Sequence, residues 1–264
     1  MVMGLSTTAI GGRQFADCLT IYHTLAPALD LKFLELAIGA RACINDIPTN
    51  LDLVVHNDWV YSPDRTRYQA RLDSDRNWQH YKELTQTHQV LAFSWHFPLR
   101  SAMDLTHVLH RQQELATYLD RPFYLELMPT SDFCGSFEDL TSGQLDGVDL
   151  CIDLSHLNIW ANGSTQQALK YTELVARPNA CWHVSTNNGV DDHHHLIPDQ
   201  HWVLDYVKEL PVDKLITYES LPNRFKQFER TDRRPRAVSQ RAFPTPTNKL
   251  WEPSNRLNHT AAVK

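Results

Sequence analysis

Fourteen histidines stand in this chain of 264 residues, and several recur with carboxylates at the ends of short apolar runs. Val54-Val55 is followed by His56, Ser94-Trp95 by His96, and Tyr124-Leu125 by Glu126. Cys151-Ile152 leads to Asp153 and then His156, Cys181-Trp182 to His183, and Thr217-Tyr218 to Glu219. Glu35 lies in an earlier run of the same kind. Imidazole is the commonest metal ligand in proteins. One His or Glu in such a place is as readily a satisfied polar residue as a ligand. Six successive runs ending this way would set carboxylates and imidazoles against one another, which is costly unless cations balance them. The donors are nitrogen and oxygen without a thiolate, which suits zinc, iron or manganese and excludes an iron–sulfur cluster. They are too many for one ion and point to two or three, about 3.5–4 Å apart where carboxylates bridge them.

The segment Asp191-Asp192-His193-His194-His195 adds donors, and Asp-x-His can be read there in two registers. Other histidines lack this context. His107 and His110 fall on a helical pattern and are expected at the surface. His23, His80, His88, His201 and His259 are expected to be structural or solvated, and Trp95, Trp160 and Trp182 to be core or pocket wall.

Elements that could position such a set alternate along the chain. Apolar or β-branched runs occur at 4–10, 32–38, 51–56, 89–96, 122–128, 148–154, 180–185 and 214–219, which suit strands. Helical spacing appears over 99–119, over 164–175 behind the N-cap candidate Ser164, and over 199–210 after Pro198. Eight such units predict a single α/β domain over 1–228, a (β/α)8 TIM barrel whose site lies at the C-terminal ends of the strands. A doubly wound open sheet is the alternative, disfavoured because no Gly-rich phosphate loop follows the first run. Segments 39–50 and 57–77 make poor helices, so the second and third units should be irregular. Residues 229–264, with Arg233-Arg234-Pro235-Arg236, Pro244, Pro246 and Pro253, read as an extended, basic Pro/Arg-rich C-terminal tail.

Charge and cysteine usage narrow the function classes. The net charge is −6; the tail holds eight Lys/Arg against three Asp/Glu, leaving −11 on the rest. An acidic body argues against broad electrostatic binding of nucleic acid. The basic tail could meet an acidic partner, although a solvated tail is the simpler reading. No apolar stretch approaches the roughly 20 residues that span a bilayer, and the N-terminus lacks the features of a secretory signal. Five scattered cysteines (Cys18, Cys43, Cys134, Cys151, Cys181) without Cys-x-x-Cys suggest a reduced, cytoplasmic chain without a disulfide framework or thiolate zinc site.

The order His56, His96, Glu126, Asp153-x-x-His156, His183, Asp191-x-His193, Glu219 resembles the xylose-isomerase-like TIM-barrel superfamily, and within it the full ligand pattern of endonuclease IV-type trinuclear zinc enzymes. The surroundings resemble a second branch, the multinuclear non-haem iron-dependent oxidases that modify ribosomally made peptides. Supporting segments are Val108–Glu114 with Leu119-Asp120-Arg121-Pro122 up to Glu126, Asp191-Asp192-His193 with Pro198-Asp199 and Trp202, and Glu219 with Pro222. Two positions depart from that branch: Leu127 stands where it usually has Asn, and Asp153-Leu154-Ser155-His156 where it usually has Asp-x-Asn-Asn.

The resemblance implies three metal positions. The first uses His56, His96 and Glu126; the second shares Glu126 and adds Asp153, His183 and Glu219; the third uses His156, Asp191 and His193. The Asp191/His193 register is preferred over Asp192/His194 because it keeps Pro198-Asp199 and Trp202 in step. Asp153, His183 and Glu219 are expected to carry catalysis. The implied cofactors are two or three divalent ions, iron favoured, with zinc or manganese as alternatives. The implied function is an oxidoreductase: an iron-dependent oxidase acting on a cysteine-containing peptide or small thiol, with room for a substrate-recognition partner protein. A divalent-metal sugar isomerase or epimerase, an endonuclease IV-type phosphodiesterase and a non-catalytic barrel are the competing readings.

Overall fold

The computed structural model describes residues 1–10, 14–37, 42–57, 60–61, 67–68 and 70–229. Eight parallel strands close into a barrel: β1 (Val2–Ser6), β2 (Leu31–Leu36), β3 (Asp52–His56), β4 (Val90–His96), β5 (Phe123–Glu126), β6 (Leu150–Asp153), β7 (Ala180–Val184) and β8 (Leu215–Tyr218). Each pairs with its neighbours in chain order, and β8 closes on β1 from Val2↔Leu215 to Leu5↔Tyr218. The helices are α1 (Thr7–Ile10), α2 (Phe15–Leu29), α3 (Trp78–Thr87), α4 (Leu105–Leu119), α5 (Phe137–Thr141), α6 (Leu154–Trp160), α7 (Thr165–Val175) and α8 (Trp202–Glu209). None of the described helices is long and apolar enough to cross a membrane. The (β/α)8 barrel expected from the alternation is thus the observed fold. The tail expected over 229–264 lies outside the described residues, apart from Glu229.

Local chemistry sets the element boundaries. The expected strand 4–10 is instead β1 followed by a helical turn, because hydroxyls compete with the ladder there. Ser6 Oγ accepts from Thr8 N at 3.2 Å, and Thr7 Oγ1 both accepts from Ala37 N (2.8 Å) and donates to Ala37 O (3.1 Å). The 99–119 pattern becomes helical only at Leu105, where the Asp104 carboxylate caps the His107 N–H. Ser164 caps α7 as expected, through the Gln167 N–H. His201 caps α8 through the Val203 N–H, so that helix starts at Trp202. Among the described residues of 39–50 and 57–77 no α-helix forms, as their poor helical pattern predicts, but the third unit does contain a regular helix, α3, directly after them. Among the described residues, β2 and β3 are joined through a 3-10 turn at Ile44–Asp46. An antiparallel ribbon, Val60–Tyr61 with Arg67–Tyr68, precedes α3.

The period of two along each strand divides the core into layers. Outward-facing Trp95 packs under α3, with ring centroids 5.0 Å from Trp78 and 5.6 Å from Tyr81. Trp182 meets Tyr206 of α8 at 5.5 Å, and Trp160 meets Phe137 at 5.0 Å. The three tryptophans are packing residues. Phe33, Val54 and Ala92 form a second, separate cluster of buried residues, and each lies two positions before an inward polar residue of its strand: Glu35, His56 and Ser94. Gly4 is required beside Phe33: a Cβ on it would lie 2.1 Å from the ring. Above this apolar floor, the same alternation turns His56, His96, Glu126, Asp153 and His183 inward.

Candidate metal centre

Glu126 sits among four imidazoles. Its Oε2 is 3.3 Å from His56 Nε2, 3.4 Å from His96 Nε2 and 3.7 Å from His183 Nδ1; its Oε1 is 3.5 Å from His156 Nδ1. The two Nε2 atoms of His56 and His96 are 3.1 Å apart. Their other ring nitrogens are already engaged, His56 Nδ1 with Ser94 Oγ (2.9 Å) and His96 Nδ1 with the Asn57 side-chain amide (3.1 Å). These partners aim both Nε2 atoms at the Glu126 carboxylate.

Asp153 ends β6 and is also the N-cap of α6, which puts His156 one turn further on. Its Oδ1 accepts from Ser155 N (2.6 Å) and Ser185 Oγ (2.8 Å), and its Oδ2 is left without a partner. His156 Nδ1 donates to Leu127 O at 2.6 Å, which points Nε2 at Asp192 Oδ1 (3.1 Å) and Asp153 Oδ2 (3.8 Å). His183 Nε2 donates to Glu35 Oε2 at 3.0 Å, so Nδ1 faces Glu219 Oε2 at 3.4 Å.

Four atoms of this cluster are buried without any hydrogen-bond partner: Glu35 Oε1, Glu126 Oε2, Asp153 Oδ2 and His183 Nδ1. Orphaned polar atoms are rare in native interiors because each carries its full desolvation cost. Cations bound among them remove that cost. The donor geometry fits: Glu126 with His56 and His96, Glu126 with Asp153 and His156, and Asp153 with His194 and Glu219 each bring their ligand atoms within 4.8 Å of one another. Nitrogen and carboxylate donors in this arrangement suit zinc, iron or manganese.

Seven of the nine expected ligands converge here: His56, His96, Glu126, Asp153, His156, His183 and Glu219. The remaining two, Asp191 and His193, do not, and the loop takes the other register. Asp191 braces a turn, with its Oδ2 accepting from Asn188 Nδ2 (3.0 Å) and its Oδ1 from the His193 N–H (3.2 Å). Its Oδ1 also pairs with His193 Nδ1 at 2.7 Å, and the His193 side chain is 70% exposed. Asn188 Oδ1 completes the turn by accepting from Val190 N and Asp191 N. Asp192 and His194 are the loop residues that reach the cluster, Asp192 through its Oδ1 at 3.1 Å from His156 Nε2. His194 Nε2 is 3.7 Å from Asp153 Oδ2 and its Nδ1 is 3.9 Å from Glu219 Oε2. The turn signature Asn188-Gly189 was the available signal. We expect His194→Ala to lower the metal content of the purified chain while His193→Ala leaves it unchanged. The reverse result in elemental analysis would restore the other register.

Among the described residues the remaining histidines behave as their contexts suggest; His259 lies outside them. His107 and His110 are exposed on α4, and His195 is exposed as well. His88 is buried against Ile47 O at 3.1 Å and is structural.

Electrostatics divides the imidazoles into two kinds. Burial, and then neighbouring imidazoles, hold His56 and His96 below the usual histidine range, so both rings are uncharged near neutral pH. Burial acts the same way on His156 and His183, but carboxylates outweigh it and raise both well above that range. Asp153 and Asp192 act on His156, Glu219 and Glu35 on His183. Burial pushes Glu126 well above the carboxylate range against the pull of His183 and His156. Glu219 goes the other way, because His183 and His194 outweigh burial.

Glu35 was visible in the sequence only as a carboxylate in the second run. Its bond to His183 is the arrangement in which a carboxylate fixes the tautomer and ring orientation of a ligating histidine. Glu35→Ala is expected to weaken metal binding by about 10–100-fold, the usual effect of losing such a partner. Glu35→Gln, which can still accept from Nε2, should recover part of it. Equal affinities for all three proteins in a competition titration with a chromogenic chelator would remove Glu35 from this role.

No protein-family model and no curated protein matches the chain. Among solved structures it is similar to an L-ribulose 3-epimerase, at 11% identity over 86% of this chain and 86% of that one, with a TM-score of 0.52. It is also similar to the probable 3-DHS dehydratase AsbF of Bacillus anthracis, at 11% identity over 86% and 96% of the two chains, with a TM-score of 0.51. These likenesses show the fold. The chain is a (β/α)8 barrel, and its chemistry has to be read from its own residues.

Proposed function

We propose that this barrel is a multinuclear divalent-metal enzyme, and that its reaction is the iron-dependent oxidation of a cysteine-containing peptide or small thiol. The observation that supports this reading is the number of converging donors. Glu126, Asp153, His183 and Glu219 would already hold one ion, and His56, His96, His156, Asp192 and His194 are surplus to it. In the proposed assignment His56, His96 and Glu126 hold one ion and Glu126, Asp153, His183 and Glu219 a second. His156, Asp192 and His194 hold a third. Bound iron(II) would supply one-electron chemistry and a coordination position open to a substrate sulfur. His96, His194 and Asp192, with side chains 35%, 26% and 47% exposed, form the open side through which the substrate enters. Glu35, Asp153 and His183 are wholly buried, away from water.

A second reading, a sugar isomerase or epimerase, rests on a specific feature. Glu126 and Glu219 both approach His183 Nδ1, at 3.7 and 3.4 Å, so two carboxylates would meet at one metal position. That is the equipment for moving a proton next to a carbonyl. The fold is also that of the L-ribulose 3-epimerase. Elemental analysis of protein purified without oxygen, followed by assays with thiol peptides and with ketoses, separates the two. More than one iron per chain with thiol-dependent oxygen uptake is the expected result. One ion per chain with exchange of a ketose C–H proton would establish the second reading in its place. A zinc-filled centre that incises abasic DNA would overturn both, against the acidic charge of residues 1–228.

A further inference from the structure

We propose that Cys151 makes the floor of this centre a sulfur-containing metal position, formed with Glu126 and His183, that takes thiophilic divalent ions. The inference rests on the metal-centre reading above and extends it to a donor that strand ends do not reveal. Cys151 precedes Asp153 by two residues on β6, so both side chains point into the barrel, Cys151 one layer deeper. It is in register with Glu126 of β5 on one side and Cys181 of β7 on the other. Its side chain is wholly buried. Ligand atoms of Glu126, Cys151 and His183 lie within 4.8 Å of one another.

A buried thiol alone is ordinarily an inert, small hydrophobic group. Here it faces two buried donors that have no hydrogen-bond partner, Glu126 Oε2 and His183 Nδ1. Burial and the adjacent Cys181 thiol raise the Cys151 thiol well above its usual range, so it stays protonated among protein groups alone. A bound dication reverses that preference: the metal–sulfur bond forms, the S–H bond breaks, and the proton leaves to the buffer without any transfer of electrons. Cobalt(II), zinc and cadmium accept mixed nitrogen, oxygen and sulfur donors in such a geometry. The seven converging strand-end ligands carry no sulfur, so the position would give the centre an affinity for soft ions that they do not supply.

Cobalt(II) titration of the full chain under reducing, oxygen-free conditions tests this. Visible ligand-field bands report occupancy of the centre, and a near-ultraviolet sulfur-to-cobalt charge-transfer band reports the sulfur bond. The charge-transfer band is expected in the native chain and in Cys181→Ser, and its loss is expected in Cys151→Ser and Cys151→Ala with the ligand-field bands retained. Ligand-field bands without charge transfer in the native chain at saturation would overturn the sulfur position and leave the nitrogen–oxygen centre standing. Persistence of the charge-transfer band in both Cys151 variants would also overturn it. Absence of all cobalt bands would overturn the metal centre and this inference together. The native-chain measurement decides even if neither Cys151 variant folds.

Discussion

Replacing Asp153 with Ala is expected to remove about one metal ion per chain and to abolish activity. The Asp153 carboxylate has a divided job. One oxygen is held by the Ser155 N–H and the Ser185 hydroxyl; the other is buried, unpartnered and within 3.8 Å of both His156 Nε2 and His194 Nε2. Losing a negative charge at this point leaves a dication short of both a ligand and a counter-charge. The same carboxylate caps α6, so the Ala variant also loses about 1 kcal/mol of helix capping. Asp153→Asn separates the two effects, because Asn caps as well as Asp but carries no charge. Loss of metal in the Asn variant with little change in melting temperature identifies the ligand role. Full metal content in both variants, by elemental analysis, would place the centre elsewhere.

The legible part of this site is the part built on strands. An alternation of period two forces every second residue of an inward-facing run into the barrel. His56, His96, Glu126, Asp153, His183 and Glu219 could therefore be read from apolar runs alone. The loop ligands obey no such period. Whether Asp191 or Asp192 faces inward depends on side-chain-to-backbone bonds of Asn188 and Asp191, and turn chemistry of this kind shifts register by one residue without changing composition. Glu35 was visible as a residue but not as a partner, since its contact with His183 spans 148 positions and appears only when the barrel closes. Cys151 lies one layer below the strand ends, where a buried thiol reads as an ordinary small apolar side chain. The run 4–10 extends past β1 because Thr7, Ala9 and Ile10 continue its apolar or β-branched character, while the hydroxyls of Ser6 and Thr7 end the ladder.

Stripping the ions with a chelator is expected to lower the melting temperature, and the size of the drop is expected to depend on pH. Ions present at 100 times their dissociation constant contribute about 2.7 kcal/mol per site. For a barrel of this size that corresponds to about 5–10 °C in melting temperature. Glu35, Glu126, Asp153 and Glu219 are all buried around the same space, and the stripped chain keeps three of their oxygens, Glu35 Oε1, Glu126 Oε2 and Asp153 Oδ2, without a hydrogen-bond partner. The sign of the pH dependence follows from the two kinds of imidazole. His56 and His96 are held below the usual histidine range and are uncharged near neutrality. His156 and His183 are held well above it by carboxylates, so each must lose a proton before it can bind a cation. Protons are therefore released on metal binding, affinity rises with pH, and the stabilisation by metal shrinks as pH falls. Melting curves with and without chelator should differ widely at pH 8 and less at pH 6. Identical curves at both values would mean that the cluster folds as an ordinary buried polar network, with the His156 and His183 ion pairs taking the place of a cation.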